Sequence, residues 1–545
     1  MKKYFIIPLI SFFTFHFLVS TPSSAQVLTE DINHPIYQYI EKLAIKKLID
    51  VNQSLKPYSK EQIAVWLEEL KIKTMPAGRQ DEKLNKLERG ELDWFLDEYD
   101  LERNENLGKL GQFDYLEKDF TLRAYPLIGY ELSSTGKNSG HSQWIGAHIE
   151  GSYKSFSLML EYLDTGEFGD NVDKEKILTP RTGHSNKSAP DGIEFSDVKG
   201  RVGYDFGVGS LSLKKEYVNI GSGKYGLLIH SSKAASYPHI EFKFNPVNWL
   251  ELHYIHGWLN SQVLDSNNFY NSYQSEIQPR VVESFIDKYI ALNYISIIPN
   301  DWLTFSLGNS FIYSGSLRPE MFIPVMYYKV MDHNTGRGDI NDGNGMIFFD
   351  VSLSYWKNFN FYSTLLIDVL EIRTLLKGEF YKQWLGFTVG GKAMDFGINN
   401  LNFFVEYTRL NPWIYDNKYS TTTYRHLDYI LGHWIGNNAD LLSFQLDYKF
   451  IRSLSFSLKT EFLRKGGGED NYYAYEERKE FSFLFGENRS DFFLEFSAKY
   501  NPLQNVYLKG KYIYSNIEEE FVGRTPEFLL GAKNSFNLSL SYGLP

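Results

Sequence analysis

From Asp119 to its end, the chain alternates apolar and polar residues with a period of two, a pattern that admits few folds. In the stretch from Ser155 to Tyr162, Phe156, Leu158, Leu160 and Tyr162 share one face while Ser155, Ser157, Met159 and Glu161 share the other. The same writing returns in Ile240, Phe242 and Phe244 against Glu241 and Lys243. It returns again in Leu442, Phe444, Leu446, Tyr448 and Phe450 against Ser443, Gln445, Asp447 and Lys449, and in Phe492, Leu494 and Phe496 against Glu495, Ser497 and Lys499. Charged residues of both signs sit on the polar face, as suits a watery lumen, and the apolar face then suits lipid.

The connections sharpen this. Short links such as Asn245-Pro246-Val247-Asn248, Pro299-Asn300-Asp301, Lys357-Asn358, Ile451-Arg452-Ser453 and Asn501-Pro502-Leu503-Gln504 alternate with long ones near residues 164–195, 260–284, 317–344, 411–438 and 516–532. Short turns at one rim and long loops at the other are the outer-membrane arrangement, and they predict about 18 antiparallel strands with both ends on the periplasmic side. The count takes Phe481 to Phe485 as the extension of a strand rather than a separate crossing. No helical span of about 18 or more apolar residues follows the N-terminal run, so a closed barrel is the membrane-crossing option left. The 39 Tyr, 41 Phe and 10 Trp fit aromatic girdles at two interfaces.

Residues 1–25 read as a cleavable leader: Lys2 and Lys3, an apolar run from Tyr4 to Val19, then Ser23-Ser24-Ala25 before the expected cleavage. The absence of cysteine rules out a lipobox, disulfides and thiolate metal sites. A formal charge of -11 argues against nucleic acid as a partner.

Residues 26–118 read as a separate helical unit on the periplasmic side, with the barrel over 119–545. Pro35 opens a run with Tyr37, Ile40, Ala44 and Leu48 on one face. Ser59-Lys60-Glu61-Gln62 spells a capping box ahead of Ile63, Trp66, Leu67 and Leu70. Leu84, Leu87, Trp94, Phe95 and Leu96 predict a third helix, and the helical pattern extends to about Leu116.

Candidate chemical motifs mostly dissolve in context. Gly221-Ser222-Gly223-Lys224-Tyr225-Gly226 has the spelling of a dinucleotide fingerprint but leads into strand-like sequence, so it reads as a glycine-rich loop at a barrel mouth. Asp339 to Asn344 misplaces the glycine of a calcium loop. Arg337-Gly338-Asp339 is too short to carry meaning. His253 and His256 fall on opposite strand faces and cannot share a metal. No catalytic, cofactor or metal set emerges.

The richest stretch runs from Phe404 through Glu406, Arg409, Trp413 and Tyr415 to Arg425 and Gly432-His433-Trp434. Rings, carboxylate and guanidinium groups at a long loop predict stacking on sugar faces and hydrogen bonding to hydroxyls. The candidate glycan-binding residues are Glu406, Arg409, Trp413, Tyr415, Arg425 and Trp434. Glu406 is placed toward the lumen and the others at the outer mouth.

Val405-Glu406-Tyr407-Thr408-Arg409 with Pro412 and Tyr415, then Gly432-His433 with Gly436-Asn437, resemble the capsule assembly Wzi family. Gly221 to Ser232 leading to Pro238-His239-Ile240, Tyr362 with Leu366-Ile367-Asp368, and His34-Pro35-Ile36-Tyr37 leading to Pro57-Tyr58-Ser59 carry the likeness over most of the chain. The resemblance implies an 18-stranded barrel with a periplasmic helical bundle. It further implies a lectin-like anchor or assembly factor for capsule or exopolysaccharide, with surface polysaccharide, outer-membrane lipid and polysaccharide export machinery as partners. The last aromatic, Tyr542, departs from the terminal residue usual in barrel insertion signals. A porin or substrate-specific diffusion channel is the alternative that the same barrel allows.

The alternation makes a direct prediction. Leu446→Arg, on the lipid face, should cost about 2 to 4 kcal/mol, and a polar exchange at neighbouring Gln445 much less. Equal tolerance in unfolding titrations would mean the register is wrong.

Overall fold

The computed structural model describes residues 27–74, 84–105, 108–268, 270–272, 280–282, 284–330, 343–370, 372–378, 383–467, 481–521 and 523–545. The predicted leader and the Arg337-Gly338-Asp339 tripeptide lie outside the described residues.

Three helices come first: α1 (Ile36–Ile45), α2 (Lys60–Lys73) and α3 (Lys86–Glu98). Their apolar stripes meet in one core, with Tyr37, Ile40, Ala44, Leu48, Ile63, Leu67, Leu70, Leu84, Phe95 and Leu96 buried, and Trp66 and Trp94 packed at its edge. Ser59 caps α2 by accepting from the Gln62 N–H at 3.1 Å. The reciprocal capping box belongs instead to α3, where Asn85 accepts from the Glu88 N–H and the Glu88 carboxylate accepts from the Asn85 N–H, both at 2.9 Å. The helical pattern ends sooner than predicted, for Phe113–Glu117 is a strand paired with the first stave of the barrel.

Eighteen antiparallel strands then close on themselves. They are β1 (Phe120–Thr135), β2 (Asn138–Tyr153), β3 (Phe156–Gly169), β4 (Gly192–Asp205), β5 (Gly209–Glu216) and β6 (Tyr237–Val247). Next come β7 (Leu250–Leu264), β8 (Phe285–Asn300), β9 (Leu303–Ser314), β10 (Gly343–Leu353), β11 (Phe359–Val369) and β12 (Trp384–Ala393). The last are β13 (Leu401–Leu410), β14 (Ala439–Ile451), β15 (Leu454–Lys465), β16 (Arg489–Tyr500), β17 (Val506–Glu519) and β18 (Gly531–Tyr542), which pairs back onto β1. Closure leaves the barrel sheet without an edge, as hydrocarbon requires of strands. Among the described residues no helix is long and apolar enough to cross a membrane.

The usual sorting of side chains is inverted. Leu158, Leu160 and Tyr162 are exposed on the outer surface while Ser157, Met159 and Glu161 are buried within. Leu446 is exposed and Gln445 faces inward toward Asp447. Trp249, Tyr355 and Trp356 stand exposed at the short-turn rim, where a girdle belongs. Phe481 to Phe485 crosses nothing and extends no strand; it lies in the loop between β15 and β16.

The helical unit docks on the short-turn rim. Lys42 and Lys46 reach Asp395 at 2.9 Å, Lys60 reaches Glu150 at 2.6 Å, and the Arg452 guanidinium lies 3.6 Å over the Trp94 ring. Glu41 of α1 binds Lys392 of β12 at 2.8 Å. Between α1 and α2 the chain reaches into the barrel, where Leu55 and Lys56 pair with Ile220 and Asn219.

Glu41 carries a pH dependence. Burial alone would raise its pKa, but Lys392, with Lys224 and Lys56 behind it, pulls it down from the ordinary 4.5 to about 2. A depressed carboxylate stabilises the docked state fully above its ordinary pKa and loses that effect as pH falls through the folded value. Amides of α1 should therefore exchange more slowly in the wild type than in Glu41→Gln at neutral pH. The difference should close as pH falls from about 4.5 to about 2. A gap independent of pH would refute the ion pair as a docking contact.

Candidate functional site

Strand β5 has only eight residues, and after it the chain turns inward instead of outward. The loop over 217–236 enters the lumen with the glycine-rich stretch at its head. Its backbone donors meet carboxylates on the wall. Ser222 donates from N–H and hydroxyl to Asp350 at 3.0 and 2.6 Å, and Thr364 adds a third hydrogen bond to Asp350 at 2.5 Å. The N–H groups of Lys224 and Tyr225 donate to Glu406 at 2.7 and 3.1 Å, and Tyr362 donates its hydroxyl to the same carboxylate at 2.6 Å. The stretch that spells a dinucleotide fingerprint thus spends its amide donors on the protein's own carboxylates. Gly226 answers to crowding, for a Cβ there would stand 2.3 Å from Nε2 of His433, and Gly221 to a positive φ of 120°.

A second long loop, over 411–438 between β13 and β14, folds onto the first. Tyr415 and Tyr424 stack with centroids 5.6 Å apart and donate their hydroxyls to the carbonyls of Leu228 and Ile229 at 2.6 and 2.8 Å. The Trp434 indole donates to the Tyr225 carbonyl at 2.7 Å, and the Ser231 hydroxyl donates to the Gly432 carbonyl at 2.5 Å. Around these bonds Ile220, Leu228, Ile229, Ile414, Leu431 and Ile435 form an apolar core inside the barrel, continuous with inward Ile290, Ile312 and Phe348 of the wall. Trp413 and Tyr415 hold positive φ values of 70° and 73°, a left-handed backbone that costs side-chain-bearing residues energy and persists where packing fixes it.

The six predicted residues therefore divide. Glu406 faces inward as expected and is buried on the loop amides. Trp413, Tyr415 and Trp434, expected at the surface of the outer mouth, are buried instead, because they fasten one loop to the other and to Phe481 and Phe485. Arg409 and Arg425 remain partly open to solvent. Arg409 donates to the Asn411 side chain at 3.1 Å and lies 3.8 Å over the Phe483 ring. Arg425 donates to the Asp428 carbonyl at 3.3 Å and has Asp416 at 3.8 Å, with about a third of its side chain (34 %) exposed. Asp350 and Tyr362 complete the arrangement. Sequence spacing gave no sign that Asp350 would serve it, since nothing local ties it to a loop about 130 residues earlier.

His253 points into the lumen toward Glu241 at 2.7 Å, and His256 points outward, so they share no site. Further space lies among the described residues. A cavity of about 440 Å³ lies between residues 172–179, the β16 to β18 wall and residues 523–529. Another of about 270 Å³ lies near the helices and is lined by Lys42, Lys224, Lys449, Lys459, Lys499 and Lys511 with Glu41, Glu91, Asp447 and Glu495.

A family model described as capsule assembly protein Wzi matches residues 138–527, well over half of the chain. Among solved structures, the chain is similar to Wzi of Escherichia coli, described as an outer membrane protein involved in group 1 capsule assembly and as a carbohydrate-binding β-barrel. The two are 14% identical with a TM-score of 0.57, over 94% of this chain and 99% of that chain. OprD of Pseudomonas aeruginosa is 11% identical over 78% of this chain and 94% of that chain, with a TM-score of 0.42. OccAB2 of Acinetobacter baumannii is 12% identical over 77% and 97%, with a TM-score of 0.41. No curated protein sequence matches the chain.

The carboxylate latch has a measurable consequence. Glu406→Ala leaves two amides and a tyrosine hydroxyl unpaired in a buried place, at about 1 to 3 kcal/mol for each group. Hydrogen exchange at Lys224 and Tyr225 should accelerate while exchange along the strands stays unchanged; unaltered exchange at these two amides would remove the fastening role.

Proposed function

The chain belongs to the capsule assembly Wzi family and forms an outer-membrane β-barrel, and from that premise we propose that it binds and anchors surface polysaccharide and assists capsule or exopolysaccharide assembly. The observation that carries this reading is the pair of loops over 217–236 and 411–438, fastened to each other inside the lumen. An eighteen-stranded barrel is wide enough for an aqueous channel. Here much of that space is given to a fixed loop assembly that presents a shaped, polar surface at the long-loop end. We place that end outside the cell. The helical unit then faces the periplasm after removal of residues 1–25, where it offers a docking surface for export machinery.

In this reading the six residues have two roles. Glu406, Trp413, Tyr415 and Trp434 set the shape of the loops from within. Arg409 and Arg425 supply the contacts, pairing with uronate or other acidic substituents of the polymer. A single hydrogen bond contributes about 1 kcal/mol, so retention comes from many sugars engaged along one chain.

The test combines two measurements. Arg409→Ala with Arg425→Ala should release polysaccharide from the cell surface while the barrel still inserts, and unchanged retention of polymer would overturn the contact assignment. In planar bilayers the wild type should show no large steady conductance; a large steady conductance would favour a diffusion channel instead.

A further inference from the structure

The outer wall of the barrel is not bare all round. On β7, β8 and β9 the outward positions include His256, Asn293 and Asn309, which would face lipid if nothing covered them. All three are buried. What covers them is the segment after β9, residues 315–330, which turns back along the outside of the barrel. Met321 and Tyr328 pack on Tyr254, Tyr289, Phe311 and Tyr313, and Phe322 stacks on the His256 ring with centroids 4.1 Å apart.

The depth of this segment follows from register. Tyr254 stands opposite Asn293, and Asn293 opposite Asn309, in one row across three strands. Asn309 is midway along β9, whose lower end at Trp302 packs against Tyr355 of the aromatic rim. A crossing strand needs about 9 to 11 residues, so this row lies within the membrane span.

Irregular backbone at such depth survives only where its polar groups find partners. The wall provides them. Tyr254 donates to the Met321 carbonyl at 2.7 Å, and Asn293 and Asn309 both donate to the Met326 carbonyl, at 2.7 and 3.3 Å. Asn309 accepts from the Tyr328 N–H at 2.6 Å, and Tyr328 in turn donates to the Ile323 carbonyl at 2.7 Å. Pro319 and Pro324 have no N–H to satisfy. The opposite face of the segment is apolar: Phe322, Ile323, Val325 and Tyr327 are exposed, Val325 at 67%.

We propose that residues 315–330 are a lipid-facing extension of the barrel wall, laid against β7 to β9 at membrane depth with acyl chains as the partner of its outer face. Continuity fixes that occupant. The exposed apolar residues carry on the band that Leu307 and Phe349 begin on the adjoining strands. Beneath it, Asn293 and Asn309 bond to the backbone of the segment, and the His256 ring, bonded to the Tyr313 hydroxyl, is covered by Phe322.

The chain has no cysteine, so a single spin label can be placed cleanly. Val325→Cys in proteoliposomes should show the accessibility of Leu160→Cys, a lipid-facing reference on β3: open to oxygen, shielded from a water-soluble nickel chelate. Ser420→Cys, exposed in a long loop, gives the aqueous reference. Nickel access at 325 equal to that at 420 would place the segment in water and overturn the proposal. Shielding from both reagents would show a protein covering it, a second copy or another chain, and would overturn it equally. Ile323→Cys repeats the measurement if labelling at 325 disturbs insertion.

Discussion

Two buried carboxylates organise the interior of this barrel. Closing eighteen strands leaves a lumen too wide for wall side chains to fill, so anything ordered within must be held by specific bonds. Asp350 and Glu406 provide them, each gathering backbone N–H or hydroxyl donors from the loop over 217–236. With that loop fixed, its carbonyls at Tyr225, Leu228 and Ile229 become acceptors for Trp434, Tyr415 and Tyr424. The second loop is thus built on the first, and the apolar core between them forms only when both are seated.

The same carboxylates connect the two ends of the molecule. Glu41 of α1 binds Lys392, whose ammonium lies 4.6 Å over the Tyr362 ring, and Tyr362 donates to Glu406. From below, the stretch between α1 and α2 pairs with residues 219 and 220, and the Ser54 carbonyl accepts from the Gly221 N–H at 2.8 Å. The helical unit and the loop assembly are therefore joined by contiguous contacts through the lumen. Contiguity is a physical route for coupling between the ends, and it becomes a mechanism only with an element that has two states.

The strands were legible because their side-chain period is two and a barrel turns that period directly into faces; Leu158 and Glu161 fall where alternation puts them. The helical unit was legible for the same reason at its own period. The loops were not. Trp413, Tyr415 and Trp434 carry no periodicity, and an aromatic loop reads alike whether it reaches into solvent or folds back into a lumen. The sequence did hold a cue in the brevity of β5, which leaves the glycine-rich stretch below the rim, but alternation marks faces better than strand ends. The capping box shows the limit on a smaller scale. Ser59 and Gln62 have the right spelling, yet the complete box formed at Asn85 and Glu88, where Lys42 and Lys46 hold the carboxylate in place.

His256, Asn293 and Asn309 suggest how covered wall can be read in such chains. On β3 the outward residues from Phe156 to Tyr162 are all apolar, whereas β7 to β9 put a histidine and two asparagines at outward positions. A polar side chain facing hydrocarbon without a partner is costly, so its presence at membrane depth implies a partner outside the barrel. The walls consequently differ. The β7 to β10 wall packs the loop core on its inner side, and over β7 to β9 it carries a folded-back segment on its outer side. The β1 to β3 wall faces outward bare, with Ile128, Leu132, Ile149 and Leu160 exposed. Breaks in the alternation are thus informative in their own right: where the outward set turns polar, another piece of chain must supply the surface that meets the membrane.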